Sequence, residues 1–184
     1  MDRNAVRQLI EWKNREHRKP LIIRGARQVG KTWLMKHFAG TCYRDFVYIS
    51  FDDNQRVEAV FSPDLNPRRI VRELETIHQK KVDPENTLLI FDEIQESKQA
   101  LKSLKYFNEE APEYHIVCAG SLLGIALHPG TSFPVGKVEF IDLYPLSFFE
   151  FLSALNARQL VGLLDAADIQ SVRLFKHEYT GFLK

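Results

Sequence analysis

Eight consecutive residues, Gly25-Ala26-Arg27-Gln28-Val29-Gly30-Lys31-Thr32, carry the spacing G-x-x-x-x-G-K-[ST]. In such a stretch a glycine-rich turn lets successive backbone N–H groups converge on phosphate oxygens. The chemistry is anion capture followed by charge stabilisation. Gly25 and Gly30 permit backbone angles that a side chain would obstruct. Lys31 reaches the β- and γ-phosphates, the Thr32 hydroxyl is a ligand for Mg²⁺, and the N-terminus of the next helix adds the positive end of its dipole. Residues 25–33, with Ala26, Val29 and Trp33 among them, are the expected nucleotide contacts. Arg27 and Gln28 occupy variable positions, where a surface role and a phosphate contact are both open.

A second acidic site follows. The run NTLLIFDEIQE (86–96) is almost continuously apolar until Asp92-Glu93. Asp92, at the end of that run, is placed to hold Mg²⁺ through water. Glu93 can accept a proton from a water aimed at the γ-phosphate, which is general-base chemistry suited to hydrolysis. A lone Asp-Glu is commonly a solvated pair at a strand exit; downstream of a glycine loop the catalytic reading is preferred. HIVCAGS (115–121) ends in Ser121, which either hydrogen-bonds the γ-phosphate and positions the attacking water or simply turns the chain and caps LLGIAL.

These residues need elements to hold them. LIIR (21–24), entered through Pro20, reads as a buried strand feeding the glycine loop, and TWLMKHFAG as a helix closing on Gly40. Further strands are expected at DFVYISF (45–51), in 86–96, at HIVCAGS and at KVEFIDL (137–143), with a turn at Asp52-Asp53-Asn54. Helices are expected over 67–81, opening on Pro67 with Ile70, Leu74 and Ile77 as its stripe, over 98–110 and over 145–155. Strands alternating with helices predict βαβ units in a mostly parallel sheet covered on both faces, with ligands at the carboxyl ends of the strands.

Composition sets the outer bounds. The 184 residues, 45% hydrophobic and 27% charged, are long enough for one domain with a substantial core and sit near the globular average. No run approaches the roughly 20 apolar residues of a membrane span, and the charged start has no secretory signal, so a cytoplasmic setting is expected. Cys42 and Cys118 make neither a disulfide framework nor a metal motif. No histidine has metal-site spacing, which leaves Mg²⁺ as the expected metal, and His115 is read as a surface residue. Net charge is +1, yet residues 1–36 hold ten Lys or Arg against three acids, an excess of +7 over a remainder of −6. An anion is expected near that segment.

With Gly25–Thr32, the LLIFDE run and the Ser121 strand in hand, the chain resembles an AAA+ P-loop ATPase. More narrowly it is similar to a prokaryotic family in which such a core precedes a C-terminal domain of unknown function. RKPLIIRGARQVGKTWLMKHF (18–38), LIFDEIQE (89–96) and AGSLLGIAL with FPVGKVEFIDLYPLSFFEFL (119–152) carry the narrower likeness. The resemblance implies an α/β three-layer P-loop NTPase with a mostly parallel five-stranded sheet, order 5-1-4-3-2, and C-terminal helices. The core would span 1–155, with 156–184 starting a helical region that is read as truncated. Gly25–Thr32 becomes Walker A, Asp92-Glu93 Walker B, and Ser121 the sensor 1 residue, where Asn is frequent elsewhere. Lys137 stands where the family often has Arg, and no arginine finger is assignable; Arg68 and Arg69 belong rather to the polar face of helix 67–81. Tyr144, Phe149 and Phe151 are read as core rather than as base-stacking groups.

The expected function is Mg-dependent ATP binding and hydrolysis, with Lys31, Glu93 and Ser121 catalytic, coupled to an unknown partner, either a C-terminal domain or a protein client. ATP over GTP follows from the resemblance alone. The alternative is a nucleotide-gated switch or binding module with little intrinsic hydrolysis. A small-molecule kinase is a weaker third reading. Nucleic acid as a partner rests only on the basic segment, whose charge triphosphate partly explains, and oligomerisation is left open.

Overall fold

The computed structural model describes residues 3–52, 55–121 and 136–155, with Pro134 and Gly162 as single positions. Five short apolar runs become parallel strands: β1 (Leu21–Gly25), β2 (Asp45–Ser50), β3 (Thr87–Asp92), β4 (His115–Ser121) and β5 (Glu139–Asp142). They form one sheet in the order β2-β3-β4-β1-β5, which is the expected order read from the other edge. β3 and β4 are buried almost throughout, as strands covered on both faces must be. Six helices lie among the described residues: α1 (Asn4–Lys13), α2 (Lys31–Cys42), α3 (Gln55–Phe61), α4 (Pro67–His78), α5 (Lys98–Glu110) and α6 (Phe148–Ala154).

The two-residue period of a strand divides the core into two layers. Ile22, Leu89, Phe91, Ile116 and Cys118 join the apolar faces of α3, α4 and α5. Leu21, Ile23, Leu88, Ile90, Val117 and Ala119 join α1 and α2, through Leu9, Trp12, Leu34, Met35 and Phe38. Local chemistry fixes the helix starts. Asn66 caps α4 by accepting from the Arg69 N–H at 3.1 Å, with Pro67 in the first turn. Ser97 caps α5 through the Ala100 N–H at 3.2 Å, each satisfying a donor the helix cannot.

The described residues from Ala5 to Pro145 form one compact unit; Arg3, Asn4 and the described residues 146–155 belong to a second. In that second unit α6 opens on a capping box: Ser147 Oγ accepts from the Glu150 N–H at 3.2 Å, and the Glu150 carboxylate accepts from the Ser147 N–H at 2.8 Å. Arg3 pairs with Glu150 at 3.6 Å.

Several expectations need correction. α2 runs through Gly40 and stops at Tyr43, whose N–H bonds the Ala39 carbonyl; a glycine inside a helix costs only about 1 kcal/mol, less than the packing of Phe38 and Ala39 supplies. Helix α3 was not expected, and α4 ends at Gln79 in the left-handed region rather than at 81. His115 is buried, 6% exposed, because Tyr43 hydroxyl meets its Nδ1 at 2.7 Å. Tyr144, Phe148, Phe149 and Phe151 are exposed, and of α6 only Leu152 is buried. Asp53, Asn54, the LLGIAL segment and the helices expected after residue 155 lie outside the described residues. Among the described residues no helix is long and apolar enough to cross a membrane.

Candidate functional site

β1 ends in Gly25, and the chain must then turn sharply to enter α2. The turn is made by two left-handed residues, Gln28 (φ 65°) and Gly30 (φ 92°). Gly30 does so without cost, and Gln28 holds a conformation that L side chains disfavour by roughly 1–2 kcal/mol. Gly25 does not have a positive φ, contrary to the expectation that both glycines are needed for their angles. Its reason is space: a β-carbon there would overlap the Leu143 carbonyl oxygen and stand 3.0 Å from Val29 Cγ2. Gly30 is also the N-cap of α2 and supplies no side-chain bond, so the first N–H groups of the helix have no side-chain cap.

Lys31 is almost fully buried. Its ammonium donates to the carbonyls of Gly25 at 3.1 Å and Ala26 at 2.8 Å, which holds the charge against the inside of the loop. Thr32 Oγ1 donates to Asp92 Oδ2 at 2.7 Å, so the end of β3 and the start of α2 are joined by the two residues expected at the metal. Tyr48, on β2, donates to the same Oδ2 at 2.8 Å, and the Glu93 N–H reaches Asp92 Oδ1 at 3.1 Å. Burial first, then the hydrogen bond to Asp92, pushes the Tyr48 phenol well above its ordinary value, so it stays a donor.

Glu93 follows in the left-handed region, φ 52°, where the strand breaks into a 3-10 turn, Ile94–Glu96. A cleft of about 600 Å³ opens here; among the described residues its walls are Arg27, Gln28, Gly30, Lys31 and Thr32 from the loop, with Asp52, Glu93 and Glu96 from the ends of β2 and β3. The remaining expected residues fall around it. Ala26 is exposed on the loop, Val29 packs on the core layer with α2, and Asp92 lies beneath Thr32, 4% exposed. Trp33 stacks on His37 at 4.7 Å between ring centroids and is not in the cleft wall. Ser121 sits at the end of β4 in register with Gly25, and its N–H reaches Gln95 Oε1 at 3.3 Å.

Sequence reasoning missed Tyr48, Gln95, Asp52 and Glu96. Only Glu96 had a signal, as the last acid of the DEIQE run; Tyr48 matters through its bond across strands to Asp92, Gln95 through its bond to the Ser121 N–H, and Asp52 through its place on the cleft wall. The donor set of hydroxyl and carboxylate suits a hard, oxygen-seeking cation. Among the described residues no group of three or more His, Cys, Asp or Glu forms a dedicated metal cage, and Mg²⁺ at a triphosphate site does not require one.

No curated relative matches the sequence. Among solved structures, that of C. elegans PCH-2 is similar over 88% of this chain at 13% sequence identity and a TM-score of 0.48. The chain spans 47% of that protein's chain. A family described as "AAA domain" matches residues 17–152, a stretch that takes in the glycine loop, all five strands and the acidic pair. The protein therefore belongs to the AAA domain family and is a nucleotide-binding core of the AAA+ P-loop ATPase type.

Proposed function

We propose that the cleft binds Mg–ATP and that the chain hydrolyses its γ-phosphate. The observation that carries this reading is the Thr32–Asp92 hydrogen bond of 2.7 Å at an uncapped helix start, with Glu93 on the wall of the same cleft.

The residues divide the work as follows. Loop N–H groups and the start of α2 receive phosphate oxygens, an arrangement that needs no reorganisation because Gln28 and Gly30 already hold the turn. Lys31 exchanges its loop carbonyls for phosphate oxygens, which moves a buried charge from a neutral partner to an anionic one. Thr32, by donating its proton to Asp92, keeps its oxygen lone pairs for a cation. Mg²⁺, when bound, offsets the charge of the triphosphate and its leaving group. Glu93 takes the proton of the attacking water, and Ser121, Arg27 and Gln28 lie within the same loop and strand-end region to orient phosphate or water.

Turnover of ATP by wild type and Glu93→Gln tests this, with nucleotide affinity measured on both. Retained affinity with turnover lowered by about 10²–10⁴ is expected; unchanged turnover removes Glu93 from the base role. Chelation of divalent ions is expected to abolish hydrolysis. One observation favours a second reading, a nucleotide-gated switch with little intrinsic turnover: Arg27 is the only arginine on the cleft wall among the described residues. Tight binding with turnover that stays at background supports the switch; turnover that rises with protein concentration argues instead for an ATPase completed by assembly. Coupling to a protein client or a further domain belongs to this proposal.

A further inference from the structure

Gln95 is 5% exposed, although it lies in a short turn at the mouth of a polar cleft and touches neither the glycine loop nor Asp92 in any hydrogen bond described for it. Its amide makes three contacts. Nε2 donates to Glu93 Oε2 and to Glu96 Oε1 at 3.3 Å, and Oε1 accepts from the Ser121 N–H at 3.3 Å. Chemistry fixes the orientation of this amide: carboxylates only accept and a backbone N–H only donates, so the reverse placement would lose every bond. Glu93 itself sits on a left-handed backbone, φ 52°, and its carboxylate is held by the Gln95 amide.

We infer that Gln95 is a positioning residue which clamps the Glu93 carboxylate to the end of β4. The inference rests on the reading of Glu93 as the base. The mechanical path is short. Ser121 pairs in register with Gly25, the residue from which the glycine loop starts, so the clamp references the base to the same sheet edge that carries the phosphates. The position of an attacking water relative to the γ-phosphate then depends on two rigid strands and one amide, rather than on a free glutamate side chain. Displacing a reacting group by about 1 Å can cost about 10²-fold in rate.

The test uses the 184-residue chain with Gln95→Met and Gln95→Glu. Methionine keeps the volume and removes donor and acceptor. Glutamate keeps an acceptor for the Ser121 N–H but sets a third carboxylate against Glu93 and Glu96, with the charges of Asp52, Asp92, Arg27 and Lys31 in the same site. Both variants are expected to stay folded at the assay temperature with a lowered thermal midpoint, since each leaves buried polar groups without their partner, and to keep ATP affinity while kcat falls about 10- to 100-fold, at unchanged KM. Gln95→Glu carries a further signature: its kcat relative to wild type rises as pH is lowered from 8 to 5.5, because a protonated carboxyl at position 95 regains the lost donor. Wild-type kcat in both variants, while Glu93→Gln is inactive, overturns the clamp and leaves the base reading standing. Parallel loss of affinity, or of folding, with kcat reduces Gln95 to a structural role and equally overturns it. A wild type that binds ATP without turnover, or an active Glu93→Gln, removes the base reading and the clamp with it.

Discussion

A carboxylate with 4% of its surface exposed needs donors, and Asp92 has three: Thr32 Oγ1, Tyr48 Oη and the Glu93 N–H. Without them the charge would be costly to bury. Tyr48 is the one donor among them that the proposed chemistry does not use directly, so it can be removed alone. Tyr48→Phe leaves the ring, and with it the Lys36 ammonium 3.8 Å from the ring centroid. A hydrogen bond to a charged group contributes about 1.5–3 kcal/mol, so urea denaturation of Tyr48→Phe should show a loss of that order with ATP binding retained. A variant as stable as wild type would mean that water replaces the phenol at Asp92 Oδ2. Neither Tyr48 nor Gln95 was legible in the sequence, for a physical reason. The partner of Tyr48 is 44 residues away, and the Ser121 N–H that ties Gln95 to β4 is 26 away; the fold brings both together, whereas Lys31, Thr32, Asp92 and Glu93 announce themselves by local spacing.

Elements were legible where one residue pattern permits one structure. LLIF and HIVCAG are long enough in apolar residues to demand burial on both faces, and they became β3 and β4. Helix α5 came out at the expected residues, 98–110, because Ser97 caps it and its stripe spans more than three turns. QRVEAVF does carry a stripe, Val57, Val60 and Phe61, all buried, but seven residues are too few for a period to stand out. In α6 Phe149 and Phe151 were expected in the core, yet neighbouring aromatics cannot all face one way from a helix, and Phe148, Phe149 and Phe151 are exposed. The junction of β1 with its loop offers the sharpest test at this scale. Gly25→Ala would force a methyl against the Leu143 carbonyl oxygen and Val29 Cγ2. Leu143 is fixed in turn by its own N–H bond of 2.6 Å to the Arg24 carbonyl. Overpacking of this kind costs about 1–3 kcal/mol, and here it also displaces the loop. Denaturant unfolding and ATP affinity should both worsen in Gly25→Ala; an unchanged affinity would show that the strand end yields without moving the loop.

Over the whole molecule, the +7 excess of residues 1–36 does not become one anion-binding front. Of those ten cations only Arg27 and Lys31 line the cleft. Arg24 binds Asp142 through two bonds of 2.9 Å, Arg15 pairs with Glu139, and Arg18 and Lys19 donate to the carbonyls of Glu113 and Gly136. The basic start of the chain is thus tied to acids and carbonyls more than ninety residues on. Such exposed pairs contribute about 0–1 kcal/mol each, so they set little of the acid sensitivity of the fold. The buried His115 has more influence. It is enclosed by the Tyr43 hydroxyl on Nδ1, the edge of Trp12 at 6.2 Å between centroids, and the nearby charges of Arg18 and Lys13. Burial first, then Arg18 and Lys13, lower it from 6.5 to about 4. The unfolded chain therefore takes a proton near pH 6.5 that the folded chain refuses until about pH 4. Across that window the unfolded state binds more protons, and stability must fall as pH falls. Asp45, Asp64, Asp83 and Glu109, held below their ordinary values by hydrogen bonds, add their losses only at lower pH. Urea denaturation at pH 7.5 and pH 5 should then show wild type losing stability and His115→Gln losing less, whatever the variant's stability at pH 7.5. Equal losses in the two proteins would mean that the buried imidazole takes up its proton without opening the fold, and the acid response would have to come from His78, which burial and then Lys80 also hold below its ordinary value, or from the carboxylates.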